Sequence, residues 1–245
     1  MLEQKTYTTK ELVEKTDLKH IAIIMDGNRR WAKERNLPTA AGHQKGVESL
    51  KNVVRLADSF GIKYITVYAF STENWKRTQE EVSFLMNLLY KTLKNEINEM
   101  MKEGVKIKII GDLETLDKKL KDILHNSMEK SKDNTGVNLQ IAINYGSQHE
   151  ILAAVKNIAQ KVKNEELTLD EITTATISDN LYTKGIPDPD ILVRTGGEQR
   201  ISNYLLWQIA YSEIYVTEKF WPEYDKTELE KTVEEFARRS RRFGA

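Results

Sequence analysis

An acidic residue and two arginines follow an apolar run near the start of the chain. The run HIAIIM at positions 20–25 continues directly into Asp26, Gly27, Asn28, Arg29, Arg30 and Trp31. A carboxylate can hold a divalent metal, while guanidinium groups and backbone amides bind phosphate oxygens. The segment therefore suits a magnesium-bound diphosphate. A plain Asp-Gly turn that opens a helix with solvated arginines is the alternative.

Two later segments carry related residue types. Residues 71–77 read STENWKR, with hydroxyl, acidic, aromatic and basic groups after a second apolar run. Further on, Arg194 and Arg200 flank the pair Gly196-Gly197, and Ser202 follows. A turn at the glycines would let both guanidinium groups meet one phosphate or diphosphate. The first segment could equally be a helix cap with a hydrophobic staple, and the glycines could be a structural turn.

The pattern of apolar residues predicts the strands and helices that would position these groups. Six short runs rich in β-branched residues predict strands at 20–25, 64–70, 105–110, 139–144, 191–194 and 213–216. Stretches with helical spacing lie between most of them, at 46–60, 79–102, 113–132, 148–163 and 227–239. Such alternation predicts an α/β fold with a buried, mostly parallel sheet flanked by helices. Ligands bind beyond the carboxyl ends of such strands, where the segments above stand.

The domain organisation is simple, because 245 residues contain no linker, repeat or low-complexity tract. We expect one domain over 1–245, with an N-terminal arm over 1–19 and a C-terminal helix and tail over 225–245. The stretch 79–102 is apolar around most of its circumference. A helix of this kind is buried in a core or lines an apolar cavity.

Composition excludes several functions. The 37 basic and 37 acidic residues cancel, which argues against a nucleic-acid binder. The absence of cysteine excludes disulfides, thiolate catalysis and Cys-based metal sites. The polar N-terminus does not match a signal peptide, and no apolar run approaches the roughly 18 residues of a membrane span. We therefore expect a cytoplasmic protein. The chain also lacks the motifs typical of P-loop nucleotide binding, dinucleotide binding and serine hydrolysis.

The motifs together resemble those of the cis-prenyltransferases, and among them the bacterial undecaprenyl diphosphate synthases. They are HIAIIMDGNRRWA, AGH at 41–43, YAFSTENWKR, NTGVNLQIAINYG, DPDILVRTGGEQRISNYLLWQIAYSEIY, FWP and RRFG. The resemblance implies an apolar tunnel beside the sheet and a cytoplasmic homodimer that works at the inner face of the membrane. It further implies condensation of farnesyl diphosphate with successive isopentenyl diphosphates. The product would be a long Z-polyprenyl diphosphate, the lipid carrier for cell-wall sugars.

The resemblance also implies a role for each matching position. Asp26 would hold Mg²⁺ and assist departure of the leaving group, with Glu213 as a further metal ligand and Asn74 as a catalytic loop residue. The allylic diphosphate would lie among Gly27, Asn28, Arg29, Arg30, Trp31, His43 and Arg77. Isopentenyl diphosphate would lie against Arg194, Arg200 and Ser202. The loop that closes over the site would contribute Ser71, Thr72, Glu73 and Trp75. The C-terminal Arg242 and Gly244 would reach the active site of the neighbouring subunit.

Four places depart from the common bacterial pattern. Arg29 replaces a glycine, Thr39 replaces a basic residue, and Gln199 replaces a histidine near the metal. Gly146-Ser147-Gln148 replaces a common Gly-Gly-Arg turn. Arg29 would either add a diphosphate contact or point outward.

Three other functions compete with chain elongation. A trans-prenyltransferase is excluded, because its Asp-rich motif needs adjacent aspartates and this chain has none. A non-catalytic partner subunit would lose site residues that are present here. A phosphate-ester hydrolase that used Asp26 as nucleophile would carry a second aspartate at position 28, where this chain has Asn28.

Overall fold

A single parallel sheet forms the centre of the molecule. The computed structural model describes residues 7–239. Its strands are β1 (His20–Ile24), β2 (Tyr64–Ser71), β3 (Lys106–Ile110), β4 (Asn138–Tyr145), β5 (Ile191–Arg194) and β6 (Glu213–Val216). They lie in the order β3-β4-β2-β1-β5-β6, and every pairing is parallel. The predicted α/β class is confirmed, and the sheet is parallel throughout the described part of the chain.

Helices cover both faces of this sheet. They are α1 (Thr9–Thr16), α2 (Asn28–Glu34), α3 (Thr39–Phe60), α4 (Gln79–Thr92), α5 (Asn98–Lys102), α6 (Lys118–Ser131), α7 (Ser147–Lys163), α8 (Thr174–Ser178) and α9 (Lys226–Arg238). A π-helical segment, Leu93–Ile97, joins α4 to α5, so the apolar stretch predicted as one helix is continuous but locally widened. Between residues 7 and 239, no helix combines the length and apolar character that crossing a membrane requires.

Helix α3 begins seven residues before the predicted start at Gly46, because Pro38 precedes its first turn and two glycines let it pack closely against α2. A Cβ atom at Gly42 would lie only 2.0 Å from the carbonyl oxygen of Asn28. Glycine is therefore required here by the close approach of two backbones. The contact fixes α3 against α2, directly behind the carboxyl end of β1.

The two faces of the sheet carry different cores. Successive residues of a strand point to opposite faces, so Ile21 and Ile23 join one core while Ala22 and Ile24 join the other. The larger core lies under α3, α5, α6 and α9 and includes buried residues of the π-helical segment. The smaller core contains stacked tyrosines, with the rings of Tyr68 and Tyr204 4.4 Å apart. The larger core therefore supports one wall of the site described next.

Candidate active site

The carboxyl ends of three strands meet at the centre of the sheet. Strand β1 lies between β2 and β5, and Ile24 pairs with Arg194 in the register. Asp26 follows two residues later, and its Oδ2 accepts a hydrogen bond from Nη2 of Arg194 at 2.9 Å. The register of two buried strands therefore positions this carboxylate and this guanidinium group against each other.

A sharp turn after β1 aims a second arginine at the same carboxylate. Gly27 has a φ of 104°, and a Cβ there would lie 2.6 Å from Phe220. The backbone N–H of Gly27 donates to Oδ1 of Asp26 at 2.7 Å, while Thr195 donates its hydroxyl to the carbonyl of Asp26 at 2.7 Å. Helix α2 starts immediately afterwards and brings Nη2 of Arg30 to 3.4 Å from Oδ1 of Asp26.

The segment after β5 forms a second cationic group. The side chain of Arg194 is 6% exposed and donates to Oγ of Ser202 at 2.8 Å and to the carbonyl oxygen of Arg200. The guanidinium group of Arg200 pairs with Glu198, whose other oxygen lies 3.6 Å from Arg30. Each arginine of this group thus has an acidic partner near the cavity.

The loop after β2 is fastened to the neighbouring strand ends. The backbone N–H of Ser71 donates to Oδ1 of Asn74 at 3.1 Å. Glu73 accepts a hydrogen bond from Asn203 at 2.9 Å, and the indole N–H of Trp75 donates to Asn144 at 2.7 Å. These contacts hold the loop beside the ends of β4 and β5.

One carboxylate joins two arginines on the other side of the site. Oε1 of Glu81, in the first turn of α4, accepts from Arg77 at 2.8 Å and from Arg29 at 3.2 Å. His43 lies beside them. Burial, assisted by the charge of Arg77, lowers the pKa of His43 to about 4, so its imidazole is neutral at pH 7.

A cavity of about 700 Å³ connects these groups to an apolar wall. Its polar end contains Asp26, Asn28, His43, Ser71, Glu73, Asn74, Arg77, Arg194, Arg200 and Ser202. Its apolar end contains Val47, Leu50, Ala69, Leu85, Leu88, Leu89, Leu93, Ile97 and Ile141. A second cavity of about 570 Å³ adjoins it and is lined by Gly27, Arg29, Arg30, Lys33, Leu37, Thr39 and residues shared with the first.

Some predicted site residues line neither cavity. The ring of Trp31 packs under the guanidinium group of Arg35, 4.6 Å from its centroid. Thr72 and Trp75 lie in the loop without lining the cavities. Arg242 and Gly244 lie outside the described residues.

Asp26 and Glu213, both predicted as metal ligands, do not come together within one chain. Glu213 begins β6, opposite Ile191 at the start of β5, whereas Asp26 follows the end of β1. The two residues therefore lie at opposite ends of the parallel strands. Glu213 instead forms a salt bridge with Arg239 at 3.0 Å. The role of Glu213 as a metal ligand stays a prediction, and it requires that Glu213 come close to Asp26 in some way other than within one chain.

Sequence reasoning missed several residues that shape the site. Glu81, Glu198 and Asn203 contact predicted site residues, and Lys33 lines the second cavity. A signal existed for two of them. Glu81 stands four positions after Arg77, and Glu198 stands between two predicted arginines.

The acidic groups at the site bear on how a metal ion could be held. Among residues 7–239 there is no group of three or more histidine, aspartate or glutamate side chains that could hold a metal ion. Asp26 and Glu73 are the two carboxylates at the cavity's polar end, and Glu73 accepts a hydrogen bond from Asn203. Mg²⁺ is commonly held by one or two carboxylates together with substrate phosphates. The residues present therefore fit a magnesium ion whose coordination a diphosphate would complete.

Comparisons with known proteins agree with this geometry. Residues 24–244 match the family model Prenyltransf, described as "Putative undecaprenyl diphosphate synthase". An isoprenyl transferase of Clostridium perfringens is 48% identical over 95% of this chain and 92% of the relative, and one of Staphylococcus saprophyticus is 48% identical over 92% and 89%.

Solved structures give the same result. The crystal structure of lavandulyl diphosphate synthase from Lavandula x intermedia, in complex with dimethylallyl diphosphate, superposes with a TM-score of 0.91 at 35% identity. It covers 94% of this chain and 100% of that one. A "probable undecaprenyl diphosphate synthase" of Campylobacter jejuni gives a TM-score of 0.77 at 33% identity over 93% and 99%. This chain is a prenyltransferase that belongs to the undecaprenyl diphosphate synthase family.

Proposed function

We propose that this enzyme extends farnesyl diphosphate with successive isopentenyl diphosphates to a long Z-polyprenyl diphosphate. The product we propose is undecaprenyl diphosphate, the lipid carrier for cell-wall sugars. The observation that carries the proposal is one cavity with a cationic end and an apolar end. An amphiphile with a diphosphate head and a growing hydrocarbon chain matches both ends. The bound dimethylallyl diphosphate of the lavandulyl diphosphate synthase, itself an allylic diphosphate, supports this substrate class.

The two groups of arginines provide two diphosphate subsites. In this proposal the allylic subsite contains Asn28, Arg30, His43 and Arg77, and the isopentenyl subsite contains Arg194, Arg200 and Ser202. The allylic carbon–oxygen bond breaks and its electron pair leaves with the diphosphate. The double bond of isopentenyl diphosphate forms the new carbon–carbon bond, and loss of a proton restores a double bond. Preorganised guanidinium groups stabilise the charge that develops on the leaving diphosphate.

Asp26 would hold Mg²⁺ in this scheme. The ion would supply further neutralisation of the diphosphate charge. Asp26 also accepts from Arg194 and lies near Arg30, so one carboxylate orients an arginine of each subsite. Asn74 supports the loop that lines the polar end of the cavity through its hydrogen bond with Ser71.

The edge of the sheet supports a homodimer. Strand β6 lies at the edge of the described sheet, with Ile214 50% exposed, and Tyr211 just before it is 69% exposed. We propose that a second copy covers this surface and that Arg242 and Gly244 serve the neighbouring active site. The lipid product would bring the cytoplasmic enzyme to the inner face of the membrane. Light scattering at micromolar concentration tests the dimer, and a monomer mass would overturn it.

A single assay tests the main proposal. Purified protein is incubated with Mg²⁺, farnesyl diphosphate and radiolabelled isopentenyl diphosphate, and butanol-extracted products are sized by reversed-phase chromatography. We expect a ladder that ends in a long polyprenyl product, and its loss when EDTA removes the metal. Extracts that contain no label would contradict chain elongation. Label retained in EDTA would contradict the magnesium requirement alone.

A further inference from the structure

One asparagine side chain connects two elements beside the isopentenyl subsite. Asn203 follows Ser202, whose hydroxyl accepts a hydrogen bond from Arg194 at 2.8 Å. Oδ1 of Asn203 accepts from the backbone N–H of Gln148 at 2.9 Å. Its Nδ2 donates to Oε1 of Glu73, also at 2.9 Å. The two ends of this amide group therefore contact helix α7 and the loop after β2.

The two partners of this side chain require an amide. The backbone N–H of Gln148 can only donate, whereas an ionised carboxylate can only accept. Burial raises the pKa of Glu73, but hydrogen bonds from Asn203 and from groups of the loop outweigh it and hold the pKa below its ordinary value. Glu73 is therefore ionised at pH 7. Asparagine offers an acceptor at one end and a donor at the other, which an aspartate in its place would not.

The start of helix α7 holds the backbone of Asn203 in place. The helix begins after Gly146, which has no side chain that could cap it. The backbone N–H of Ser147 donates to the carbonyl oxygen of Asn203 at 2.8 Å, and the Ser147 hydroxyl accepts from the backbone N–H of Leu206 at 2.9 Å. Ser147 lies in the turn that departs from the common bacterial pattern, and a glycine in its place could not make the second bond. Asn203 thus caps α7 from a distant part of the chain.

The loop after β2 lies directly against this helix start. A Cβ atom at Gly146 would lie 2.6 Å from Oγ1 of Thr72 and 2.8 Å from Nδ2 of Asn203. Glycine is therefore required at this position by the close approach of the loop. The loop, the start of α7 and the residues after β5 meet at one point.

This inference rests on the proposed function, in which isopentenyl diphosphate lies against Ser202 and its neighbouring arginines. Glu73 and Asn203 both line the polar end of the cavity. An anion held at Ser202 fixes the next residue, and the amide of Asn203 transmits that position to Glu73. We infer that Asn203 is a positioning residue that couples isopentenyl diphosphate binding to the placement of the loop after β2.

Two substitutions separate this coupling from a merely structural cap. Asn203→Asp keeps an oxygen acceptor for α7 and suits the left-handed backbone, with φ at 60°, but it sets a carboxylate against Glu73. Asn203→Ala removes both contacts. Asn126→Asp makes the same chemical change at an exposed position of α6 outside both cavities, and it is the control.

Hydrogen exchange followed by mass spectrometry reports the placement of the loop without turnover. In the absence of substrates, we expect Asn203→Asp to speed exchange in residues 71–77 alone, and Asn203→Ala to speed it there and in 146–150. Isopentenyl diphosphate added alone should slow exchange of 71–77 in the parent protein and in Asn126→Asp, but not in Asn203→Asp. Unchanged loop exchange in Asn203→Asp, or equal acceleration in both segments, would overturn the coupling.

Steady-state kinetics provide a second measurement. We expect Asn203→Asp to raise the KM for isopentenyl diphosphate about tenfold, because a hydrogen bond to a charged group becomes a repulsion. The KM for farnesyl diphosphate should stay within about twofold, since Arg77 is held by Glu81 of α4 instead. A KM that rises equally for both substrates would contradict the inference.

A double variant tests whether the contact with Glu73 carries the effect. Adding Glu73→Gln to Asn203→Asp gives the new carboxylate a donor again, so the KM for isopentenyl diphosphate should return to within about twofold of that of Glu73→Gln alone. A double variant as impaired as Asn203→Asp would overturn the coupling through Glu73.

The exchange measurement also separates this inference from the proposed function. The protein might elongate no prenyl chain while isopentenyl diphosphate still slows loop exchange in the parent protein and not in Asn203→Asp. That result would overturn the proposed function and retain the coupling. Active elongation together with unchanged loop exchange in Asn203→Asp would overturn the coupling and retain the function.

Discussion

Two groups of charged residues at the active site are built in different ways. The sheet-edge cluster, at the carboxyl ends of β1 and β5, consists of Asp26, Arg194 and Ser202. The loop cluster consists of Arg77, which ends the loop after β2, together with Arg29 of α2, His43 of α3 and Glu81 of α4. The side chain of Arg194 is 6% exposed, whereas those of Arg77 and Arg29 are 35% and 59% exposed. Arg194 makes hydrogen bonds to three acceptors, but Arg77 and Arg29 share the carboxylate of Glu81.

This difference separates two requirements of the reaction. Stabilising charge in a transition state needs groups that are fixed before the reaction, and the buried strands fix the sheet-edge cluster. Substrate entry and product release need groups that can move, and the long, partly exposed side chains of Arg29 and Arg77 can do so. We therefore expect changes at the sheet-edge cluster to affect both stability and catalysis, and changes at the two exposed arginines of the loop cluster to affect catalysis alone.

The largest effect should follow from Asp26→Ala. It removes the proposed magnesium ligand and the carboxylate shared by Arg30 and Arg194, so we expect activity to fall by about a thousandfold or more. The loss of a partner for buried Arg194 should also lower the free energy of unfolding by about 1–3 kcal/mol. Steady-state assays and urea unfolding measure both effects. Asp17→Asn, at an exposed carboxylate, is the control, and an active Asp26→Ala enzyme would remove this residue from the mechanism.

A pair of conservative substitutions compares the clusters directly. Arg194→Lys and Arg77→Lys both keep the charge but lose the planar fork of the guanidinium group. We expect Arg194→Lys to lose about a hundredfold in kcat/KM and about 2 kcal/mol of stability, because the buried guanidinium group makes three partly buried hydrogen bonds that an ammonium group cannot all replace. Arg77→Lys should lose about tenfold in kcat/KM, with its urea midpoint unchanged, since its contact is partly exposed.

Equal destabilisation by the two lysine variants would contradict the distinction between the clusters. So would a stable Arg194→Lys enzyme that loses activity alone. In the first case the loop cluster would be as firmly held as the sheet-edge cluster, and in the second the partly buried hydrogen bonds of Arg194 would not contribute to the fold.

The sequence was most informative for site residues whose position is set directly by a strand. Apolar runs of β-branched residues located all six strands, and the rule that ligands bind at carboxyl ends then brought Asp26 and Arg194 together. The same rule also separates Glu213 from Asp26, because Glu213 begins its strand. The prediction that Glu213 joins Asp26 as a metal ligand came from the family resemblance, and within a single chain the two residues do not meet.

Side-chain direction and close packing were harder to predict. The early start of α3 depends on Gly42 and Gly46 packing against Asn28, a contact between elements that no local pattern records. The placement of Lys33 beside Arg29 depends on which face of a seven-residue helix meets the cavity. The contact of Glu81 with Arg29 was similarly hidden, because the two residues are far apart in the chain.

The smallest effect concerns two histidines, half-buried His43 in the loop cluster and buried His20 far from it. Burial lowers the pKa of His43 and of His20 to about 4, from an ordinary value of 6.5. Between these values the unfolded chain binds protons that the folded protein excludes, so stability should be full above pH 6.5 and decline as pH falls towards 4.

Urea unfolding from pH 7 to 4.5 measures this slope, which His20→Gln and His43→Gln should each reduce, unlike the exposed control His125→Gln. His43 lies beside Arg77 at the cavity, whereas His20 is enclosed by Pro187 and Thr66. A bound diphosphate would favour the charged form of His43 alone, because opposite charges raise the pKa of a nearby imidazole. Adding inorganic diphosphate should therefore reduce the slope of the parent protein and of His20→Gln, and leave that of His43→Gln unchanged. An equal response of both variants would mean that the loop cluster does not contact the ligand.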